Sequence, residues 1–344
     1  MKYYEEDYVS PTVKKLVSIL NVTLVDRDVA NFIYKLNRIN ISESKITTMR
    51  QATSKEALAW SEELEKMNLA NSVYALSTKK PKERMAIGID EGKVHIRNAK
   101  RNMSTKRYER YWKNVKFGVC YEFDENGKKS GESKYTAEID IKLNEFGRLM
   151  RELLIKNDYL FSKHKITLSD GAIGYNEFLQ NLVGNAVHIL DAMHLKEHLW
   201  ILGKSLFPDL PNGQHSELAE AFVDKSYHLL KTSGFEVFIK YIKKNKPKRK
   251  NAKLWKREIN YFDKNKNRLD YPYYIKLHYP LGSGVVEGGI KYVCNKRLKN
   301  GSACWRVEHV NGLLKLRIIW FNGYFDDFWS WRKKYYSTKY KWYA

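Results

Sequence analysis

A chain of 344 residues, 43% hydrophobic and 29% charged, is long enough for two or three compact units and can bury a sizeable core. No apolar run approaches the roughly 18–20 residues of a membrane span. The polar start Met1-Lys2-Tyr3-Tyr4 carries no secretory leader, and Cys120, Cys294 and Cys304 include no C-x-x-C pair, so a reduced, cytoplasmic protein is expected rather than a disulfide framework. Lys and Arg number 62 against 39 Asp and Glu, a net charge of +23. A field of that sign attracts polyanions, nucleic acid first among them, although a solvated basic surface is the plainer reading.

The first 80 residues lack a convincing strand. Ser10-Pro11 is a cap and first-turn pair for a helix over Thr12–Leu20, and Val29, Phe32, Ile33 and Leu36 give a second helix from Asp26. After a turn at Asn37–Ile41, Ser42 caps a third helix through Met49, and a long helix follows over Lys55–Leu76. The short helices fit either a helix-turn-helix or a plain bundle packed on the next domain. Lys79-Lys80-Pro81-Lys82 reads as the linker that closes this region.

From Arg84 the pattern changes. Met85–Ile89 is a short apolar run ending on Asp90, and Val115–Phe123 and Tyr135–Leu143 flank the turn Asp124-Glu125-Asn126-Gly127 as a hairpin. A helix with Phe146, Leu149, Leu153 and Leu154 on one face comes next. Strand Lys165–Ser169 ends on Asp170, a helix runs through Tyr175–Leu182, and strand Ala186–Leu190 ends on Asp191. Three antiparallel strands followed by strand–helix alternation predict an α/β fold with a mixed sheet flanked by helices. Residues 195–245 read as helices. The basic, strand-poor stretch Lys240–Arg268 reads as an exposed loop or a phosphate-contacting surface, and Leu281–Lys334 is helical again.

Asp90 and Asp170 close strands, where short acids on a rigid edge can converge, and Glu91 beside the first is either a spare ligand or turned away. Glu287 lies in Gly282-Ser283-Gly284-Val285-Val286-Glu287-Gly288-Gly289, a glycine-rich entry to a helix. Three carboxylates suit hard divalent cations. Two such ions about 4 Å apart can activate an attacking hydroxyl and stabilise a leaving oxygen. Isolated strand-end aspartates are, by themselves, mostly turn formers or helix caps.

These residues carry a resemblance. Leu168-Ser169-Asp170-Gly171-Ala172, then Ile189-Leu190-Asp191-Ala192-Met193-His194-Leu195-Lys196-Glu197-His198-Leu199-Trp200, then Pro280 through Glu287, Arg297-Leu298-Lys299 and Trp305 resemble the DDE transposases of the bacterial ISKra group, relatives of the Mutator-like transposases. The likeness runs from about Arg84 to Trp331. At the first acid the family commonly has Asp-Gly, whereas this chain has Asp90-Glu91-Gly92. The resemblance implies a ribonuclease-H-like core in two parts, residues 81–200 and 276–344, separated by a basic helical insertion, 201–275, and preceded by the N-terminal helical region, 1–80. It implies Asp90, Asp170 and Glu287 as catalytic and metal-holding residues for two Mg²⁺ or Mn²⁺ ions, with Asp191 and His194 as auxiliaries. Arg297, Lys299 and Trp305 become candidates for DNA contact, with surface charge or core packing as the alternative for each. The implied partners are double-stranded DNA, as element ends and as target, and a second copy of the chain in synapsis.

Two other readings stand beside it. One is an inactive or domesticated DNA-binding protein that keeps a transposase core. The other is a zinc metallopeptidase through His194-x-x-Glu197-His198, whose histidines share a helix face at i and i+4.

Overall fold

The computed structural model describes residues 9–75, 82–98, 100–172, 174–211, 213–247, 251–300 and 303–340. Three helices lead: α1 (Pro11–Asn21), α2 (Asp26–Asn37) and α3 (Glu43–Ala75). Ser10 caps α1 as expected, accepting from the Val13 amide. The two helices expected after Ser42 are one continuous helix of 33 residues, because nothing between Met49 and Lys55 breaks the ladder. Val17, Val29, Ile33, Ile46 and Met49 form a small core among the three helices.

This region behaves as a bundle fastened to the C-terminal helices. Ala57 and Trp60 of α3 pack against α13 (Val307–Phe321) and α14 (Phe325–Tyr340) through Leu316, Ile319, Phe328 and Trp329. A Cβ at Gly312 would lie 2.8 Å from that of Ser54, so α3 and α13 touch at backbone distance. The helix-turn-helix alternative finds α3 laid on the core along this stretch. Of the proposed linker only Lys82 lies among the described residues.

The sheet is built from β1 (Arg84–Arg97), β2 (Arg110–Phe123), β3 (Lys129–Ile139), β4 (His164–Ser169) and β5 (Val187–Leu190), in the order β3-β2-β1-β4-β5. β1, β2 and β3 pair antiparallel, whereas β4 runs parallel to β1 and β5 parallel to β4. The turn predicted after Phe123 is present, with Gly127 at φ 75° and the Asp124 carboxylate accepting from the Asn126 and Lys128 amides. One expectation is corrected: Asp90 does not end its strand. β1 continues for seven residues beyond it, because β2 keeps pairing with it as far as Arg97.

Helices cover both faces. α4 (Leu143–Lys156) and α5 (Tyr175–Leu182) pack on Met85, Ile87 and Ile89. On the other face Ala86, Val94 and Ile96 meet a larger helical mass. It comprises α6 (Ala192–Leu206), α7 (Glu217–Ser233), α8 (Phe235–Lys244), α9 (Ala252–Lys264) and α10 (Tyr271–Lys276), then α11 (Gly284–Gly289), a π-helical turn Ile290–Asn295 and α12 (Lys296–Leu298). The stretch read as a basic loop, Lys240–Arg268, is thus largely helical. Its surface lysines conceal an apolar stripe in which Trp255 and Phe262 are buried. The last three residues of its basic run, 248–250, lie outside the described residues.

The closest packing is between β1 and α11. A Cβ at Gly88 would stand 2.1 Å from the Val286 side chain, and one at Gly289 would stand 2.5 Å from the Phe117 ring on β2. Neither position has room for a methyl group. Replacing Gly88 with Ala should therefore destabilise the protein by about 1–3 kcal/mol through overpacking. Val286→Ala in the same chain should recover most of that loss, as measured by chemical denaturation of the two single variants and the double.

Candidate active site

Side chains alternate along β1, so Gly88, Asp90 and Gly92 share one face. That face is the one under α11: Gly88 meets Val286, and Gly92 lies 3.6 Å from Ile290 when given a Cβ. Asp90 therefore rises between two glycines toward the segment that carries Glu287. Glu91 points to the opposite face, where it pairs with Lys116 and accepts from Asn114 at 2.7 Å. It is the member of the acidic pair turned away from the site.

Asp170 follows the last residue of β4. Gly88 is the last residue of β1 that pairs with β4, so Asp90 and Asp170 leave the parallel pair at neighbouring points of one edge. The Asp170 carboxylate accepts from the Ala172 amide at 3.1 Å, and its backbone carbonyl accepts from Arg268 at 3.1 Å. Glu287 sits in the first turn of α11, exposed, and accepts from the Ser283 hydroxyl at 2.8 Å.

The three acids feel one another. Burial pushes the Asp90 carboxyl up to about 6; the Glu91 amide opposes the shift, the charges of Asp170 and Glu287 add to it, and His194 counters them. Among the described residues, no three Asp, Glu, His or Cys side chains are drawn in tightly enough to form a ligand set as they stand. The donor chemistry nonetheless fits a hard divalent cation: three carboxylates, one half-buried and reluctant to ionise, are what such a charge would relieve.

Asp191 ties the site together. It is fully buried at the N-terminus of α6, accepting from the His194 ring Nδ1 at 2.6 Å and from the Ser283 amide at 2.7 Å. Beside it, the Ala192 amide donates to the Leu281 carbonyl at 2.8 Å. A continuous run of hydrogen bonds thus joins His194, Asp191, Ser283 and Glu287. Burial works to raise the Asp191 carboxyl, but the His194 and Ser283 bonds outweigh it and hold it below the usual range. His194 is pushed up to about 9, first by its bond to Asp191 against the cost of its own burial, then by the charges of Asp191 and Asp170. At neutral pH it is an imidazolium beside the acids.

Two residues here carry no sequence signal. Arg268 is 2% exposed and donates to the Ser169 and Ile189 carbonyls at 2.9 and 3.2 Å, to the Ser169 hydroxyl and to the Asp170 carbonyl. It clamps the ends of β4 and β5 from within the stretch read as surface. Tyr261 of α9 covers Gly171, where a Cβ would stand 2.3 Å from its hydroxyl, and its ring stacks on His198 at 3.5 Å. Burial inside a basic run, the feature that marks Arg268, is visible only once α9 is placed.

Other candidates move. Arg297 is 2% exposed, pairs with Asp26 at 3.2 Å and lies over the Trp305 ring at 5.1 Å, so it joins the N-terminal bundle to the core instead of facing a ligand. Burial and the Arg50 charge lower it to about 10, against the pull of Asp26. Trp305 is buried as well. Its indole donates to the Leu298 carbonyl at 2.9 Å, and its backbone pairs with the end of β1 through His95 and Arg97. Lys299 remains exposed. In the H-x-x-E-H string the two rings turn to different carboxylates, His194 to Asp191 and His198 to Glu258 at 2.5 Å, and Glu197 is exposed. No ligand trio forms from it.

Compared with known family profiles and with curated proteins, the chain matches none. Among the described residues no helix is long and apolar enough to cross a membrane. The class defined by fold and site is therefore a coarse one: an α/β protein with a five-stranded mixed sheet and an acidic edge.

Two outcomes test this electrostatic arrangement. A carboxyl whose folded value is raised to about 6 contributes stability that is lost as pH rises from its ordinary value of 3.8 through about 6. In chelator at pH 7.5, Asp90→Asn should therefore melt about 2–4 °C above wild type, and Mg²⁺ should raise the wild-type midpoint more than that of the variant. In the second, NMR titration of His194 should place its transition near 9 and move it below 7 in Asp191→Asn.

Proposed function

We propose that this protein is a metal-dependent DNA strand-cleaving and strand-transferring enzyme of the DDE transposase type, built on a ribonuclease-H-like core. The observation that carries the reading is the meeting of Asp90 and Asp170 on adjacent parallel strands with Glu287 on a helix packed against the first of them. The sheet order β3-β2-β1-β4-β5, with β4 and β5 parallel to β1, agrees with such a core. So does the helical insertion between the second and third acids. The net charge of +23 supports a polyanionic substrate.

In this reading Asp90, Asp170 and Glu287 would hold Mg²⁺ or Mn²⁺. When bound, the metal would make a water or a 3′-hydroxyl a better nucleophile and stabilise the leaving oxygen. The remaining work falls to side chains. Asp191 accepts a hydrogen bond from the His194 Nδ1–H and fixes the ring, leaving the Nε2–H to donate to a phosphate oxygen. Ser283, held by Asp191, presents its hydroxyl to Glu287 and steadies that carboxylate. Arg268 and Tyr261 keep the Asp170 backbone in place from the insertion.

The test is cleavage of a supercoiled plasmid carrying the element's ends in Mg²⁺ or Mn²⁺. Wild type should nick or linearise it. Asp170→Asn should lose about a hundredfold or more of that activity while binding the duplex within about twofold of wild type. An absence of cutting by wild type in both metals defeats the proposal and leaves the DNA-binding, non-catalytic reading.

A further inference from the structure

The residues after Asp90 form a feature that catalysis at the acids does not use. β1 and β2 continue together past the end of β4 as a two-stranded arm, and the described residues of the loop between them are 98 and 100–109. Its base is stiffened on the exposed edge of β1, where the Trp305 amide donates to the His95 carbonyl at 3.0 Å and the Trp305 carbonyl accepts from the Arg97 amide at 2.8 Å. His95 stacks on Trp112 across the pair at 4.9 Å, and Trp112 stays 59% exposed. The loop is also held from within. The Asn102 side chain accepts from the amides of Ser104 and Thr105, and its own amide donates to Glu109 at 3.1 Å. Asn98 donates to the same carboxylate at 2.8 Å.

That bracing sets the charge of the arm. From Arg97 to Arg110 there are six cations (Arg97, Lys100, Arg101, Lys106, Arg107 and Arg110) and one acid, Glu109, which is committed to the two asparagines. Arg97 and Arg101 lie over the Tyr108 ring at 4.3 and 5.4 Å. Lys100, Arg101, Lys106 and Arg107 face solvent around Met103, which is 95% exposed at the tip. Edge strands often carry lysine to prevent pairing, but these cations lie on the loop beyond the paired residues. A rigid cationic loop with an apolar tip suits the sugar-phosphate walls of a groove with a wedge between them.

We propose that this β1–β2 arm is a duplex-DNA grip, with Lys100, Arg101, Lys106 and Arg107 on phosphates and Met103 at the groove. The proposal rests on the reading of the acids only for what lies next to it. Seven residues of strand separate Asp90 from Arg97, about 23 Å at the usual rise.

The experiment measures binding of a fluorescent mixed-sequence duplex of 30 base pairs by the full chain in chelator, from 50 to 250 mM salt. Each lost phosphate contact lowers the slope of log affinity against log salt by about 0.9. The fourfold variant Lys100→Ser, Arg101→Ser, Lys106→Ser, Arg107→Ser should lower the slope by about 3.6 and the affinity at 100 mM salt by tenfold or more. A charge-matched control on exposed lysines away from the arm and from the basic stretch 240–268, Lys128→Ser, Lys142→Ser, Lys225→Ser, and, from the end of α10, Lys276→Ser, should change the slope by less than 1. Equal losses in the two variants mean that binding follows net charge alone and overturn the proposal, as does an unchanged slope in the first. Because no metal is present, the result is independent of cleavage. A wild type that binds through the arm and never cuts DNA upholds the grip and defeats the catalytic reading; one that cuts DNA with an unchanged slope does the reverse.

Discussion

The site depends on α11 lying directly on β1. Two missing side chains allow it: Gly88 leaves room for Val286, and Gly289 leaves room for the Phe117 ring. The helix sets its Val286 side chain into the gap over Gly88, and Asp90, one step along the same face, lies close enough to Glu287 to feel its charge. A larger residue at either glycine would lift the helix and separate acids that belong to elements almost two hundred residues apart. Gly289, in the glycine-rich sequence around Glu287, is thus explained by packing against the sheet before any ligand is considered, whereas Gly284 and Gly288 face open space.

Bringing acids together is electrostatically costly, and the protein answers it unevenly. Asp90 stays reluctant to ionise, raised by burial and by its acidic neighbours. Asp191, more buried, is satisfied by His194 and Ser283 and remains a firm anion. The contrast separates two roles that the sequence does not distinguish. A buried carboxylate with its hydrogen bonds filled by protein organises its surroundings, whereas one left partly unfilled is suited to an outside charge. The positive charge at His194 depends on Asp191, so the auxiliary pair acts as one unit.

The helical insertion contributes more than bulk. Arg268 reaches back across 98 positions of sequence to the ends of β4 and β5, and Tyr261 covers the glycine after Asp170. A guanidinium buried among the carbonyls at the strand ends satisfies several acceptors at once, which is a role for arginine and not for lysine. At the other end, Arg297 with Asp26 and Arg50 joins the N-terminal bundle to the segment after Glu287. Burial inside a strongly basic chain gives these arginines structural work that their number on the surface hides.

Much of this protein was legible in order and type. The alternation of apolar residues placed five strands and their intervening helices, Asp124 through Gly127 marked the hairpin, and the acids at 90, 170 and 287 were singled out in the sequence. Local pattern works there because burial on one face imposes a period of two or 3.6 within a few residues. It overlooked that β1 runs on past Asp90, since strand length is set by the partner strand and not by the apolar run. It also missed that α3 is unbroken and that Arg268 clamps the sheet, and it left open whether Glu91 faces away and whether Arg297 and Trp305 lie inside. Each of those depends on which distant segment lies against the residue. The sequence alone determined which residue types stand at the edge of the sheet. Only the tertiary structure decided which of them face one another, because burial and hydrogen-bond partners belong to the assembled chain.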